Sequence, residues 1–559
     1  MRKTLTIMLC LLSFFQAGAQ NRYYVVNNNG TYQAITVEET HQMEFDAEQK
    51  LIAIKLVDGA VSSFATEKID SISFVQPVSG TALTYTDNFD VAFDSNDKNN
   101  YGEIIETIIE DETIDESGDF IENFSASKVA TITFSETGVT FTPDIIDQVS
   151  YTIVGGTHLT ISSSRSKMAY RVQGSCSNGS LKIYSEKKFQ LALNGLTLTN
   201  PNGPAINNQS GKTVYVTLPA GKKNILCDGE VYADAPYSEG EPEDQKGTFF
   251  SEGQLIFSGT GTLNVTSRGG HGICSDDYIR VRSGNINILS AAKDGINTNE
   301  QFRVGRMADA APKITINADA DGIDCGKGSI LIEAGEITVN TVDDGIVASY
   351  EEMTDATIDP SIVIRGGFIK VNTTGEKGMA IKANANYTQT GGIVQGKVLG
   401  NGSKVVNCEK DFAFTGGKLT AIVDGTISSD GSSTAGIKCS GNCTITDGTI
   451  GVNCTGVGAK AINVDGNVAI LDNANVTLLA TGKNYNEGVD DKKSRAVSAL
   501  SYAQNGGKVL MKSYDKAVST TAGISLSAGI LNAFSARDYA LGVAAIQTGG
   551  WMLTKDGKE

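Results

Sequence analysis

The chain has 559 residues, 62 Gly against 9 Pro, and a formal charge of −18. Nucleic acid and anionic membrane surfaces both call for basic patches, so this acidity argues against either as a partner. It also disfavours a polyanionic glycan unless a cation bridges the like charges.

The first residues read as a leader. Arg2 and Lys3 precede an apolar run from Leu5 to Phe15, and Ala17-Gly18-Ala19 supplies a small-x-small cleavage site. Residues 1–19 are therefore expected to be a secretory signal peptide. The product is expected to be exported to the periplasm, the cell surface or the medium. Cys10 lacks the preceding small residues of a lipid-attachment box, and no later apolar run reaches the ~18 residues of a membrane span.

Residues 20–80 read as a small separate β module with strands near 23–26, 34–37, 51–56 and 72–74, and with Asp58-Gly59 as a hairpin turn. Residues 81–124 are acidic and poor in apolar side chains, which predicts a linker or loosely structured segment.

From 125 to 536 the text is repetitive. Asp-Gly-Ile recurs at Asp294, Asp321 and Asp344, led by His271-Gly272-Ile273, and the glycines are spaced 23, 27 and 23 residues apart. A period in the twenties, with strand-like text between the anchors, marks a solenoid. Apolar residues alternate at Ile279, Val281, Ile286 and Ile288. The same offsets return at Ile330, Ile332, Ile337 and Val339, and again at Ile362, Ile364, Ile369 and Val371. Such alternation means strands with one buried face. Gly284, Gly335 and Gly367 lie where the chain must turn between them. Three short strands per repeat, with no room for a helix, predict an all-β, single-stranded parallel β-helix. The residues from Asp234 to Lys246 interrupt the repeat and are expected to loop out. Beyond Tyr350 the anchors continue without Asp, as at Ala435-Gly436-Ile437. Residues 537–559 depart from the pattern, hold the lone Trp551, and are expected to cap the open end.

Stacking turns equal offsets into neighbours. His271, Asp294, Asp321 and Asp344 fall in one column, Asp343 lies one residue before it, and Asn297, Asp324 and Val347 lie three residues after. Asp276 and Asp277 follow the first anchor. Carboxylates about 4.8 Å apart repel unless neutralised. A hard cation held by oxygens resolves the conflict, so roughly one to three calcium sites are expected on one edge. Asp before Gly is also a common turn residue, and a row of exposed turns needs no metal.

GTFFSEGQLIFSGTGTLNV, GICSDDYIRVRSGNINILSAAKDGI and GKGSILIEAGEITVNTVDDGI resemble the calcium-containing β-helix carbohydrate-binding domain family of secreted bacterial proteins. The resemblance implies a right-handed, pectate-lyase-like parallel β-helix with bound calcium and a polysaccharide or cell-surface glycan as partner. It implies calcium ligands at Asp276, Asp277, Asp294, Asp321, Asp343 and Asp344. The stacking argument adds Asp324.

Three functions stay open: a non-catalytic polysaccharide binder, a calcium-dependent polysaccharide lyase, and a surface spacer or adhesin. A lyase needs a base, for which Lys293, Lys377 and Lys382 are candidates. Sugar rings stack on aromatic faces, and Tyr278, Tyr350, Phe368 and Tyr387 lie near the expected turns. The eight cysteines after Cys10 read either as small buried residues stacked in the interior or as disulfide partners.

Overall fold

The structure is a computed structural model that describes residues 5–7, 22–46, 49–73, 77, 82–83, 89–100, 117–238, 240–306, 309–351, 354–485 and 492–557. Apart from residues 5–7, the expected leader lies outside the described residues, as does 101–116 of the acidic stretch. Strands dominate, and among the described residues no helix is long and apolar enough to cross a membrane. Two compact units divide the chain: Asp94–Gly400 with Val406–Glu409, and Met1–Phe93 with Asn401–Val405 and Lys410–Glu559.

In the unit built on Asp94–Gly400, from Gly247–Ser251 onward, strands pair in parallel with the third strand further along. Ile279–Val281, Asn285–Ser290 and Ile296–Thr298 pair with Gln301–Val304, Lys313–Ala318 and Ile323–Cys325 in turn. The alternation in the sequence sets the register. Ile286 lies opposite Ile314, Ile314 opposite Ile337, and Ile337 opposite Ile369. All four are fully buried. Each such side chain removed from water stabilises the fold by about 1.5–3 kcal/mol. A one-residue slip would carry the whole apolar set to the solvent face.

Polar residues obey the same stacking. Asn340 donates to Asn317 at 3.0 Å, and Asn372 donates to Asn340 at 2.9 Å, forming an amide ladder. At the turns, Gly284 and Gly335 adopt φ of 109° and 115°, conformations that a Cβ disfavours. The anchor glycines have a different cause. A Cβ on Gly322 would meet Val339 Cγ1 at 2.2 Å and the Gly345 carbonyl oxygen at 2.5 Å. The chain passes too close to its neighbours there for any side chain.

At the beginning of this unit the pairing turns antiparallel. Lys128–Ser135 pairs with Gly138–Thr142, and Val149–Val154 pairs with His158–Ser163. Hairpins here cover an edge that would otherwise present unpaired backbone groups.

The other unit repeats the parallel scheme, as in Lys418–Val423 against Thr449–Cys454. Its end is closed by two segments from opposite ends of the sequence. Trp551–Lys555 pairs in parallel with Val518–Ser535 and antiparallel with Ala60–Ala65. Tyr23, Val25, Ile54 and Phe64 then share one core with Phe534, Trp551 and Leu553. The N-terminal β module thus extends the sheet and covers its last edge.

All eight described cysteines are free and buried. Cys325 stacks between Thr298 and Ala348, which is the small interior role.

Gly322→Ala is expected to lower stability by about 1–3 kcal/mol through overpacking, read as a reduced urea midpoint at unchanged slope. An unchanged midpoint would mean that Val339 and the Gly345 carbonyl can give way.

Candidate acidic metal-binding column

Five strands build the column. Ile273, Ile296, Ile323, Ile346 and Ile381 stand in successive register. The residues two positions earlier, His271, Asp294, Asp321, Asp344 and Met379, therefore line up at the strand entrances. Each aspartate supports the next repeat. One oxygen of Asp294 accepts the main-chain N–H of Asp321 at 3.1 Å, and one of Asp321 accepts that of Asp344 at 2.9 Å. One oxygen of Asp344 accepts the N–H of Met379 at 2.7 Å. Asp fits here because its short carboxylate reaches a backbone donor one repeat away.

The second oxygens differ along the column. Asp294 Oδ2 lies 3.1 Å from His271 Nδ1 and accepts from Asn297 at 3.1 Å. Asn297 also donates to Asp324 at 3.0 Å. Asp344 Oδ2 pairs with Lys382 at 3.0 Å. Among the described residues no cation forms an ion pair with Asp321 or Asp343. Carboxylate oxygens of Asp321, Asp343 and Asp344 come within 4.8 Å of one another. The electrostatics follow. Burial, then the charges of Asp344, Asp294 and Asp324, push Asp321 up to about 8. Burial and then Asp294 push Asp324 up to about 6. Burial and Asp344 raise Asp343. Asp294 goes the other way: burial opposes its charge, but the His271, Asp321 and Asn297 hydrogen bonds outweigh it and hold the carboxyl below its usual value.

The seven aspartates expected as ligands do not converge on one edge. Asp276 and Asp277 follow the strand His271–Ser275, whereas the column stands at its beginning. The strand's own length separates them. Asp276 instead faces Asp244 and Glu252, and Lys246 places its ammonium 2.7 Å from both Asp276 oxygens and 2.8 Å from Asp244. Asp277 caps the N–H of Tyr278 at 2.8 Å. Lys246 closes the insertion, and nothing in the repeat pattern marks it as a counter-ion. The candidate aromatics do not offer stacking faces. Tyr350, Phe368 and Tyr387 are buried, and the Tyr278 hydroxyl donates to Asp119. A groove of about 640 Å³ lies elsewhere in the unit, lined by both polar and apolar groups, among them Gln148, Val149, Ser162, Tyr184, Glu186 and Gln209.

Comparison with known proteins gives a consistent direction. The family described as carbohydrate-binding domain-containing protein matches residues 155–472, more than half of the chain. A carbohydrate-binding domain-containing protein of Acetivibrio thermocellus is 28% identical over 123 residues, covering 21% of this chain. The match spans 41% of that relative's length. A solved structure of the polysaccharide lyase-like protein from C. thermocellum, a gadolinium derivative, shares 23% identity with a TM-score of 0.37. It covers 50% of this chain and 95% of its own.

An acid whose pKa is higher folded than unfolded keeps its proton longer in the fold. Asp321 therefore contributes stability that is complete below 3.8 and disappears as pH rises towards about 8. With divalent cations chelated, the melting temperature is expected to fall across that interval, and Asp321→Asn is expected to flatten the fall. Identical pH profiles for the two proteins would contradict the crowding of carboxylates.

Proposed function

The chain belongs to the carbohydrate-binding domain-containing protein family, and from that membership we propose an exported, non-catalytic, polysaccharide-binding protein. In this reading the three-strand repeats wind as a right-handed parallel β-helix, and calcium neutralises the aspartate column. The observation that carries the calcium assignment is the cluster of Asp321, Asp343 and Asp344, whose oxygens approach within 4.8 Å. Lys382 is its one paired cation among the described residues. Oxygen-only, flexible and anionic, this donor set suits a hard divalent ion. Asp321, Asp343 and Asp344 would hold it. Asp294 and Asp324 would lie beside it as acceptors already engaged by Asn297. Asp276 and Asp277 fit less well, because Lys246 already supplies the positive charge at Asp276.

The non-catalytic reading rests on the lysines. Lys382 is held charged by Asp344, which raises its pKa against burial, so it is a poor base for proton abstraction. Lys293 and Lys377 are exposed on the surface. In this reading the glycan sits in the groove at Ser150, Ser162 and Gln209, where hydroxyl and amide groups match sugar hydroxyls.

Chelator-stripped protein is expected to bind calcium by calorimetry and to melt higher with it. Calcium at 100 times its Kd would add about 2.7 kcal/mol. Asp321→Asn with Asp343→Asn is expected to abolish both effects. Retention on an insoluble polysaccharide, without release of unsaturated sugar, is expected to accompany this. Unsaturated product would establish a lyase instead, and absence of retention on any glycan would leave a spacer.

A further inference from the structure

The acidic stretch ends in a strap that docks on the unit's strand face. Residues 117–124 comprise two short 3-10 turns, Ser117–Asp119 and Ile121–Asn123. Beneath them one register row runs Tyr215, Ile256, Arg280 and Arg303, and Arg282 follows the strand that carries Arg280. In a chain of charge −18, guanidiniums stacked about 4.8 Å apart are a costly arrangement unless something anionic covers them.

Arg303 pairs with Glu333 at 3.4 Å and Arg282 with Asp309 at 2.9 and 3.0 Å, while the strap covers Arg280 and the outer side of Arg282 with particular groups. Asp119 Oδ2 lies 2.7 Å from Arg280, a side chain with no exposure at all, and its other oxygen accepts from the Tyr278 hydroxyl. Glu122 pairs with Arg282 at 2.8 Å, and that bond holds its carboxyl below the usual range. The Phe120 ring takes the guanidiniums of Arg282 and Arg306, each 4.6 Å from its centroid. Two contacts reach main-chain carbonyls: Tyr215 donates to Gly118 at 2.6 Å, and Arg282 donates to Asp119 at 3.5 Å. The Phe124 ring packs on Tyr215 at 5.3 Å.

We infer that the Tyr215–Tyr278–Arg280–Arg282–Arg306 face is a peptide-docking site, and that it takes an acid–aromatic–x–acid segment of a partner protein in place of the strap. The occupant in view defines the chemistry. Carbonyl acceptors and an aromatic ring between guanidiniums are features of a peptide and not of a sugar chain. The exchange is feasible because the grip is uneven. Asp119 is buried, but the Glu122 side chain is 64% exposed, and a solvent-exposed ion pair contributes little. Tethering gives the strap an effective concentration of around millimolar, so a partner segment competes only when the strap is weakened or the partner is abundant.

The test uses the full chain carrying Asp119→Asn, Phe120→Ala and Glu122→Gln together, and a fluorescent peptide of residues 115–126. Anisotropy is expected to show binding to this variant at least tenfold tighter than to the unaltered protein. Added salt is expected to weaken it, and so is a peptide lacking the phenyl ring. Arg282→Ala in the same background is expected to remove it. Phe120→Ala alone, which keeps both ion pairs, serves if the triple variant melts without cooperativity. No gain in binding by a cooperatively melting strap variant would overturn the inference. So would binding indifferent to Arg282, or equal displacement by polygalacturonate and peptide, since the face would then read charge alone.

Discussion

Register is the constraint from which the rest follows. Parallel pairing with the third strand along brings residues some 23–35 positions apart into direct contact about 4.8 Å away. The energetic result depends on the side chain repeated. Isoleucines give a continuous core, as from Ile286 through Ile369. Asparagines give a ladder in which each amide satisfies the next. Charges alone cannot satisfy themselves, so each charged row needs a foreign partner. Lys246 serves Asp276, the strap serves Arg280 and Arg282, and Lys382 serves Asp344. Asp321 and Asp343 lack such an ion pair among the described residues. The calcium proposal rests on that imbalance.

The same aspartates also act as structural groups. Each offers one oxygen to the backbone of the next repeat, so the column contributes to folding through the protein's own groups. An acidic row can therefore sit within a repeat whose later anchors carry Met379, Ala435, Lys460 and Arg495. Division of labour between the two oxygens is the economical feature. One is committed to the main chain, and at Asp321 the other forms no ion pair among the described residues.

Much of this was readable from spacing. Alternation at Ile330, Ile332, Ile337 and Val339 marked the strands and their register, and the Asp-Gly-Ile triplets marked the column, because both depend on local periodicity. Contacts made over long separations were not readable. The SDD motif looked like part of the column, yet it stands at the other end of its strand. Lys246 lies in an insertion outside the period. Asp119 meets Arg280 from 161 residues away, and Gln547 donates to the Ser63 carbonyl across 484. The acidic stretch read as a loose linker because its own composition offers no core, and the arginines that receive it are scattered singly among apolar strands. The N-terminal module read as separate for the same reason, since its partner edge is the far end of the sequence.

Adjacency of Asp321 and Asp344 is the central claim, and a double-mutant cycle measures it most directly. Stability of the unaltered chain, Asp321→Asn, Asp344→Asn and the double variant would be compared at about pH 9 with divalent ions chelated. Asp321, which burial and its neighbours push up to about 8, is then largely charged. Repulsion between touching neighbours predicts a coupling of at least ~0.5 kcal/mol, with each neutralisation gaining more while the other charge is present. Single effects that add to within ~0.3 kcal/mol would place the two side chains apart and contradict the account.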